Sequence, residues 1–311
     1  MPRPLTIPAA DGYLLHGRLW RHEEPALSRR PVVVINPATA VHSRYYARFA
    51  AYLHGHGFDV VTYDYRGIGE SRPATLKGFE ASWIDWGSRD FEGVLRFVAQ
   101  NFPGQPVQVV AHSVGGFLIG LAESNHLIDR VFTMGAQFAY WRDYAPHRRW
   151  SLLWRWHVVM PALAAIFGYF PGRRLGWLED TPRGVVDDWT ARHPRFEDAY
   201  RRGPRRMTAD QRHQLVERFS RMRGATLALS MSDDEYGTVP AIHRLLGYFA
   251  NSPVTHLRVA PAMIGLAEIG HFAFFHQRFE NSLWPIALTW LRHGQLPDNA
   301  PGELLRPEAP A

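Results

Sequence analysis

The chain has 311 residues, 46% hydrophobic and 21% charged, which is enough apolar material for a sizeable core and too balanced a composition for wholesale disorder. It contains no cysteine, so disulfides, zinc–thiolate sites, haem attachment and thiol catalysis are all excluded. Its formal charge of +6 comes from arginine, Lys77 being the only lysine; PHRRW (146–150) and YRRGPRR (200–206) accompany no nucleic-acid module and read as solvated faces, so no nucleic-acid partner is expected.

The N-terminal LTIPAADGYLLHGRLW places two short strand-like runs around Asp11-Gly12, a hairpin signal. PVVVIN (31–36) is a β-branched run of buried-strand type, RYYARFAAYLHGHG (44–57) has helical spacing ending in glycine, and DVVTYDYRG (59–67) is a second buried strand. A helix over 86–102, the strand VQVVAHS (107–113), a helix from Gly115 to about Glu123 and the strand IDRVFTM (128–134) follow. Such alternation predicts an α/β fold with a mostly parallel central sheet and helices on both faces.

From Tyr140 to about Arg223 the alternation stops, and a Trp-, Arg- and Pro-rich stretch without strand-like runs predicts a helical insertion. ATLALSM (225–231), a helix near 239–250, VTHLRVA (254–260) and a last helix around Leu283–His293 resume the sheet pattern. The expected organisation is a core of 1–139 and 224–293, a helical lid over 140–223, and a polar, Pro-rich flexible tail over 294–311. VVMPALAAIFGYF (158–170) is interrupted by Pro161 and shorter than the ~20 apolar residues a bilayer span needs, and the N-terminus lacks the pattern of a secretory signal. No membrane span and a cytoplasmic protein are expected.

Ser113 closes a strand with Gly115 and Gly116 after it, where a sharp strand-to-helix turn needs tiny neighbours. It is either a nucleophile, in a Gly-x-Ser-x-Gly elbow whose first glycine is Ala111, or a serine capping the helix. A serine hydroxyl needs a base in contact, a carboxylate to orient the base, and donors for the oxyanion. His271 follows the predicted strand 254–260, and Asp233 and Asp234 lie just beyond 225–231. The order serine, acid, histidine at strand ends is that of an α/β-hydrolase triad. Among the histidines, neither His54 with His56 nor His271 with His276 has the spacing of a zinc helix, and neither a metal nor any cofactor is expected.

NPATAVHSRYYARFA (36–50), YDYRGIGES (63–71), AHSVGG (111–116), SDDE (232–235) and GHF (270–272) together resemble the α/β-hydrolase superfamily, near its serine aminopeptidase and monoacylglycerol-lipase types. The resemblance covers the chain outside the insertion and the tail. It implies a serine hydrolase acting on a carboxylic ester through Ser113, His271 and an acid. The family spacing from the acid to Thr238 favours Asp234, leaving Asp233 as the alternative acid, otherwise a helix cap or a water-facing charge. Relatives carry His-Gly-x-Gly after the first parallel strand; counting back from Arg44-Tyr45, Asn36-Pro37 replace His-Gly, and the backbone N–H groups of Ala38 and Val114 become the implied oxyanion donors. The same residues would serve an acyltransferase, a thioesterase or a peptidase, and a non-catalytic ligand-binding member is the rival of another class. Trp141, Trp150, Trp154, Trp156, Phe167, Tyr169 and Phe170 give the insertion aromatic surface, for packing onto the body or for an apolar acyl substrate.

Overall fold

In the computed structural model, which describes residues 2–23 and 30–306, nine strands form one sheet. The hairpin β1 (Arg3–Pro8) and β2 (Leu14–Trp20) is followed by β3 (Val32–Asn36), α1 (Ala47–Gly55) and β4 (Asp59–Tyr63). Next come α2 (Glu92–Asn101), β5 (Val107–His112), α3 (Val114–Leu121) and β6 (Ile128–Met134). After the insertion lie β7 (Ala225–Met231), α4 (Val239–Leu246), β8 (Val254–Val259), α5 (Trp284–His293) and β9 (Glu303–Leu305). The spatial order is β1-β2-β4-β3-β5-β6-β7-β8-β9, parallel from β4 to β8 and antiparallel at both edges.

The buried strands are apolar on both sides because both faces are covered. Val32, Val34, Val109 and Ala111 pack with Val94, Leu95, Val98 and Phe117 of α2 and α3 on one face. Val33, Ile35 and Val110 pack with Phe49 and Leu53 of α1 and Trp284 and Leu291 of α5 on the other. Each fully buried large side chain contributes roughly 1.5–3 kcal/mol, so the two layers hold the strand ends in fixed register. The chain leaves β3 for β4 on one side and β5 on the other. That reversal opens a crevice at the carboxyl ends of β3 and β5, where open α/β sheets bind ligands.

Two expectations need correction here. The segment from Gly294 is not frayed throughout: Glu303–Leu305 pair antiparallel with His256–Arg258 and form the last edge strand, hydrogen bonds from β8 supplying what a Pro-rich composition does not advertise. The insertion also contains strand, Tyr169–Phe170 pairing with Thr181–Pro182.

Pro161 does not break its helix. The helical run Arg149–Phe167 passes through a π turn at Arg155–Val159, and Pro161 is the second residue of the α-helical part that follows. A proline cannot donate to the carbonyl four residues back; that carbonyl, of His157, accepts instead from Arg192 at 3.4 Å. By length and composition alone this run of 19 residues is apolar enough to cross a membrane. One face, Leu152, Trp156, Met160 and Ala164, is buried in a small core with Tyr144, Phe170 and Val186, whereas Trp150 and Trp154 are 71% and 64% exposed. The insertion is tied to the body by the two-pronged Arg244–Asp143 pair (2.6 and 3.0 Å), Arg72–Asp180 (2.8 Å) and His42–Glu179 (3.0 Å).

Candidate active site

Ser113 follows β5 directly, at φ +54° and ψ −123°, a conformation that costs a non-glycine residue on the order of 1–3 kcal/mol. The surroundings enforce it. A side chain at Gly115 would put its Cβ 2.5 Å from the Asn36 carbonyl oxygen, and one at Gly116 2.5 Å from the Ala136 Cβ, so α3 can start this close to β3 and β6 only with glycine at both positions. Ala111 is accommodated in β5 between Asn36 and Thr133. Ser113 occupies the N-cap position of α3, yet its side chain makes no capping bond. Its Oγ instead accepts from Gln137 Nε2 at 3.3 Å, and Gln137 Oε1 in turn takes the Ala139 N–H.

Asp234 and His271 meet at the ends of β7 and β8. His271 Nδ1 lies 2.7 Å from Asp234 Oδ2, and the other oxygen, Oδ1, accepts from the amides of Tyr236 and Gly237, both at 2.8 Å. Both residues are buried. Because a carboxylate only accepts, His271 Nδ1 carries a hydrogen, and in the neutral ring the lone pair is therefore on Nε2. Two glycines make room: a Cβ at Gly237 would stand 2.5 Å from Asp234 Oδ2, and one at Gly135, where φ is +57°, 2.8 Å from the same atom and 3.0 Å from the imidazole.

Asp233 neither contacts the imidazole nor caps a helix. Its Oδ2 accepts from the Ile269 and Gly270 amides at 2.8 and 2.9 Å, clamping the loop that presents His271. The expectation of a capping or water-facing Asp233 is replaced by this positioning contact.

Ala38 also departs from expectation. Its N–H donates to the Tyr46 hydroxyl at 2.9 Å, so the single hydrogen an oxyanion would need is already engaged. The Tyr46 hydroxyl donates onward to His112 Nδ1 (2.8 Å), and His112 Nε2 donates to the His271 carbonyl (2.9 Å). Burial pushes the His112 pKa well below its ordinary value, which keeps the ring neutral and fits one acceptor and one donor nitrogen. The amides of Thr39, the next residue, and of Val114 have no acceptor among the described residues, and Thr39 lines the cavity beside Ser113.

That cavity, of about 280 Å³, is bounded on the sheet side by Ala38, Thr39, Ser113, Gln137 and His271 and on the other by Arg155, Trp156, Trp177 and Trp189 of the insertion. Trp156 stacks on Trp189 at 5.1 Å and donates from Nε1 to the Tyr236 hydroxyl at 3.0 Å. Of the seven aromatics singled out from the sequence, only Trp156 lines the cavity; Phe170 is core, and Trp150 and Trp154 face outward. Gln137, Trp177 and Trp189 carried no motif that would have marked them, and Tyr46 and His112 lay within the resembling stretches 36–50 and 111–116 without being singled out. Among the described residues no group of three histidines and carboxylates spaced for a metal lies at this cavity.

A sequence model of the family described as "Serine aminopeptidase, S33" matches residues 28–229. No curated protein matches the chain. Among solved structures, the Pyrococcus furiosus esterase Pf2001 is similar with a TM-score of 0.56 and 12% identity, over 94% of this chain and 91% of its own. DcsB, solved with a substrate analogue, gives 0.58 and 13% over 94% and 98%, and the esterase domain of a Rhodothermus marinus protein 0.53 and 14% over 94% and 98%. At these identities the likeness is one of fold.

Proposed function

We propose carboxylic-ester hydrolysis for this chain, which belongs to the serine aminopeptidase, S33, family of the α/β-hydrolase fold. The observation that carries the reading is the buried 2.7 Å pair of His271 with Asp234 opening onto the same cavity as Ser113 in its positive-φ turn.

In the proposed reaction the Ser113 hydroxyl, whose own hydrogen the Gln137 contact leaves free, turns that hydrogen to His271 Nε2, an adjustment in keeping with the loose hydrogen bonds of substrate-free sites. Its oxygen attacks the ester carbonyl while the proton passes to Nε2, and Asp234 stabilises the imidazolium through Nδ1–H. The tetrahedral oxyanion is held by the Val114 amide and, in place of Ala38, the Thr39 amide; a donor of this kind is worth about 3 kcal/mol of barrier. His271 returns the proton to the leaving alcohol, and water cleaves the acyl-enzyme by the same route reversed.

Tryptophan walls support an apolar acyl group, with the insertion acting as a lid. An aminopeptidase has to hold a substrate ammonium, which calls for a carboxylate, and the lining residues include none while including Arg155. That favours an ester over a peptide. The test is a fluorophosphonate probe with peptide mapping, alongside p-nitrophenyl esters of rising chain length. A single adduct on Ser113, with turnover abolished in Ser113→Ala and His271→Ala, is expected. Folded protein that neither labels nor turns over would sink the proposal and favour a ligand-binding member of the fold; acyl transfer to an added alcohol in preference to water would make it a transferase.

A further inference from the structure

The amino ends of the parallel strands, opposite the cavity, bring together three side chains from three elements. His22 lies just beyond β2, His54 in the last turn of α1 and Asp59 opens β4. His22 Nδ1 is 3.2 Å from Asp59 Oδ1, the two imidazole rings are 4.0 Å apart between centroids, and one ligating atom from each residue lies within 4.8 Å of the other two.

The surroundings fix these groups as a metal site needs. His54 Nδ1 is 3.2 Å from the Phe58 carbonyl oxygen. A carbonyl only accepts, so Nδ1 carries the hydrogen and Nε2 the lone pair, the orienting contact typical of a ligating histidine. The Asp59 carboxylate is buried and oriented from both sides, Oδ2 by Gln105 Nε2 at 2.9 Å and Oδ1 by the His22 amide at 2.8 Å. Each oxygen can still accept from a second direction. Zinc bonds of about 2.0–2.2 Å at tetrahedral angles separate donor atoms by roughly 3.3 Å. The His22–Asp59 spacing already has that value, and the third group closes by no more than about 1.5 Å. A His–Asp ion pair would account for two of the residues but not for a second imidazole packed against the first.

We propose that His22, His54 and Asp59 bind one Zn2+ ion, water completing its coordination, as a structural clasp joining the end of the first hairpin to α1 and β4. Two imidazoles and one carboxylate are a donor set for a late divalent metal. Weighing His54 against its chain neighbour His56 concealed the site, because His56 turns Nδ1 to the Tyr52 carbonyl at 2.8 Å, whereas the companions of His54 are Asp59, across the turn into β4, and His22, beyond the first hairpin.

Calorimetric titration of the chelator-stripped full chain with ZnCl2 at pH 7.5 tests this. The expected result is one ion per chain, bound at least tenfold more weakly by His22→Gln and by His54→Gln and equally well by His56→Gln and Ser113→Ala. Zn2+ should raise the Tm of the unaltered protein and not that of the first two variants, whose folding is checked by circular dichroism. Co2+ gives a readout that needs no variant: the strong visible bands of a four-coordinate nitrogen and oxygen site are expected. No saturable 1:1 binding, binding that survives loss of His22 and His54, or a purely octahedral Co2+ spectrum would overturn the assignment.

Discussion

The Tyr46 hydroxyl takes the Ala38 N–H at 2.9 Å and hands its own hydrogen to His112, so the loop after β3 and the loop bearing His271 are joined by one buried chain of hydrogen bonds. Tyr46→Phe removes the middle of that chain and leaves the Ala38 N–H and His112 Nδ1 buried without partners. A buried polar group stranded in this way costs on the order of 1–3 kcal/mol. Urea unfolding should show that loss while kcat for a p-nitrophenyl ester fails to rise. A rise would mean that the freed Ala38 amide had joined the oxyanion hole.

Asp233 and Asp234 are adjacent in sequence and unequal in expected effect. Asp234→Asn keeps the shape but replaces the charge facing His271 Nδ1, and comparable replacements of buried triad acids lower kcat about 10⁴-fold. Asp233→Asn keeps an oxygen able to accept from the Ile269 and Gly270 amides, and less than a tenfold loss is expected. Steady-state kinetics on the pair distinguishes catalytic acid from loop clamp; equal losses would contradict the division.

How far the sequence went follows from which interactions are local. Strands such as 32–36 and 107–112 are legible because burial on both faces makes them nearly continuous apolar runs, Ser113 and Asp234 stand out because they follow such runs closely, and His271 because it lies between the next strand and the last helix. The misreadings all involve partners outside the element that was read, most of them remote in sequence. Tyr46 reaches back to Ala38, Asp233 across to Ile269, β8 lends its edge to Glu303–Leu305, and Arg192 supplies the donor that Pro161 lacks. The cavity walls were half-legible for the same reason: aromatic content marks the insertion, but only the fold decides that Trp177 and Trp189 turn inward and Trp150 outward.

Acid should loosen the fold before it protonates most carboxylates. Burial lowers the pKa of His157 and of His256 from 6.5 to about 4; His256 sits between Ser230 Oγ at 2.8 Å and His243 at 2.9 Å, with Arg258 opposing its charge as well. Between those two values the unfolded chain binds the proton and the folded one does not, so stability is fully present above about pH 6.5 and is lost as pH falls towards 4. A drop of that size corresponds to roughly 3 kcal/mol per histidine. The urea midpoint should therefore fall steeply from pH 7 to pH 5, and His256→Gln should flatten the slope. A midpoint indifferent to pH in this range would show that neither ring is held neutral.

Trp156 is the one residue of the insertion that at once packs its small core, stacks on Trp189 and walls the cavity. Two effects therefore compete in Trp156→Ala. Loss of a large buried side chain costs about 3–5 kcal/mol, and the Tyr236 hydroxyl, whose ring lies 5.1 Å from that of His271, loses its Trp156 donor. Against this, the vacated volume is continuous with the space beside Ser113 and can take additional methylenes, each worth about 0.8 kcal/mol when buried. Short acyl esters should turn over more slowly in the variant, while the preferred chain length rises by several carbons through kcat/KM. Because the sheet carries Ser113, Asp234 and His271, and none of them depends on Trp156 for a hydrogen bond, fluorophosphonate labelling should persist at temperatures below the lowered Tm. An unchanged chain-length profile would place the acyl group elsewhere than against the insertion.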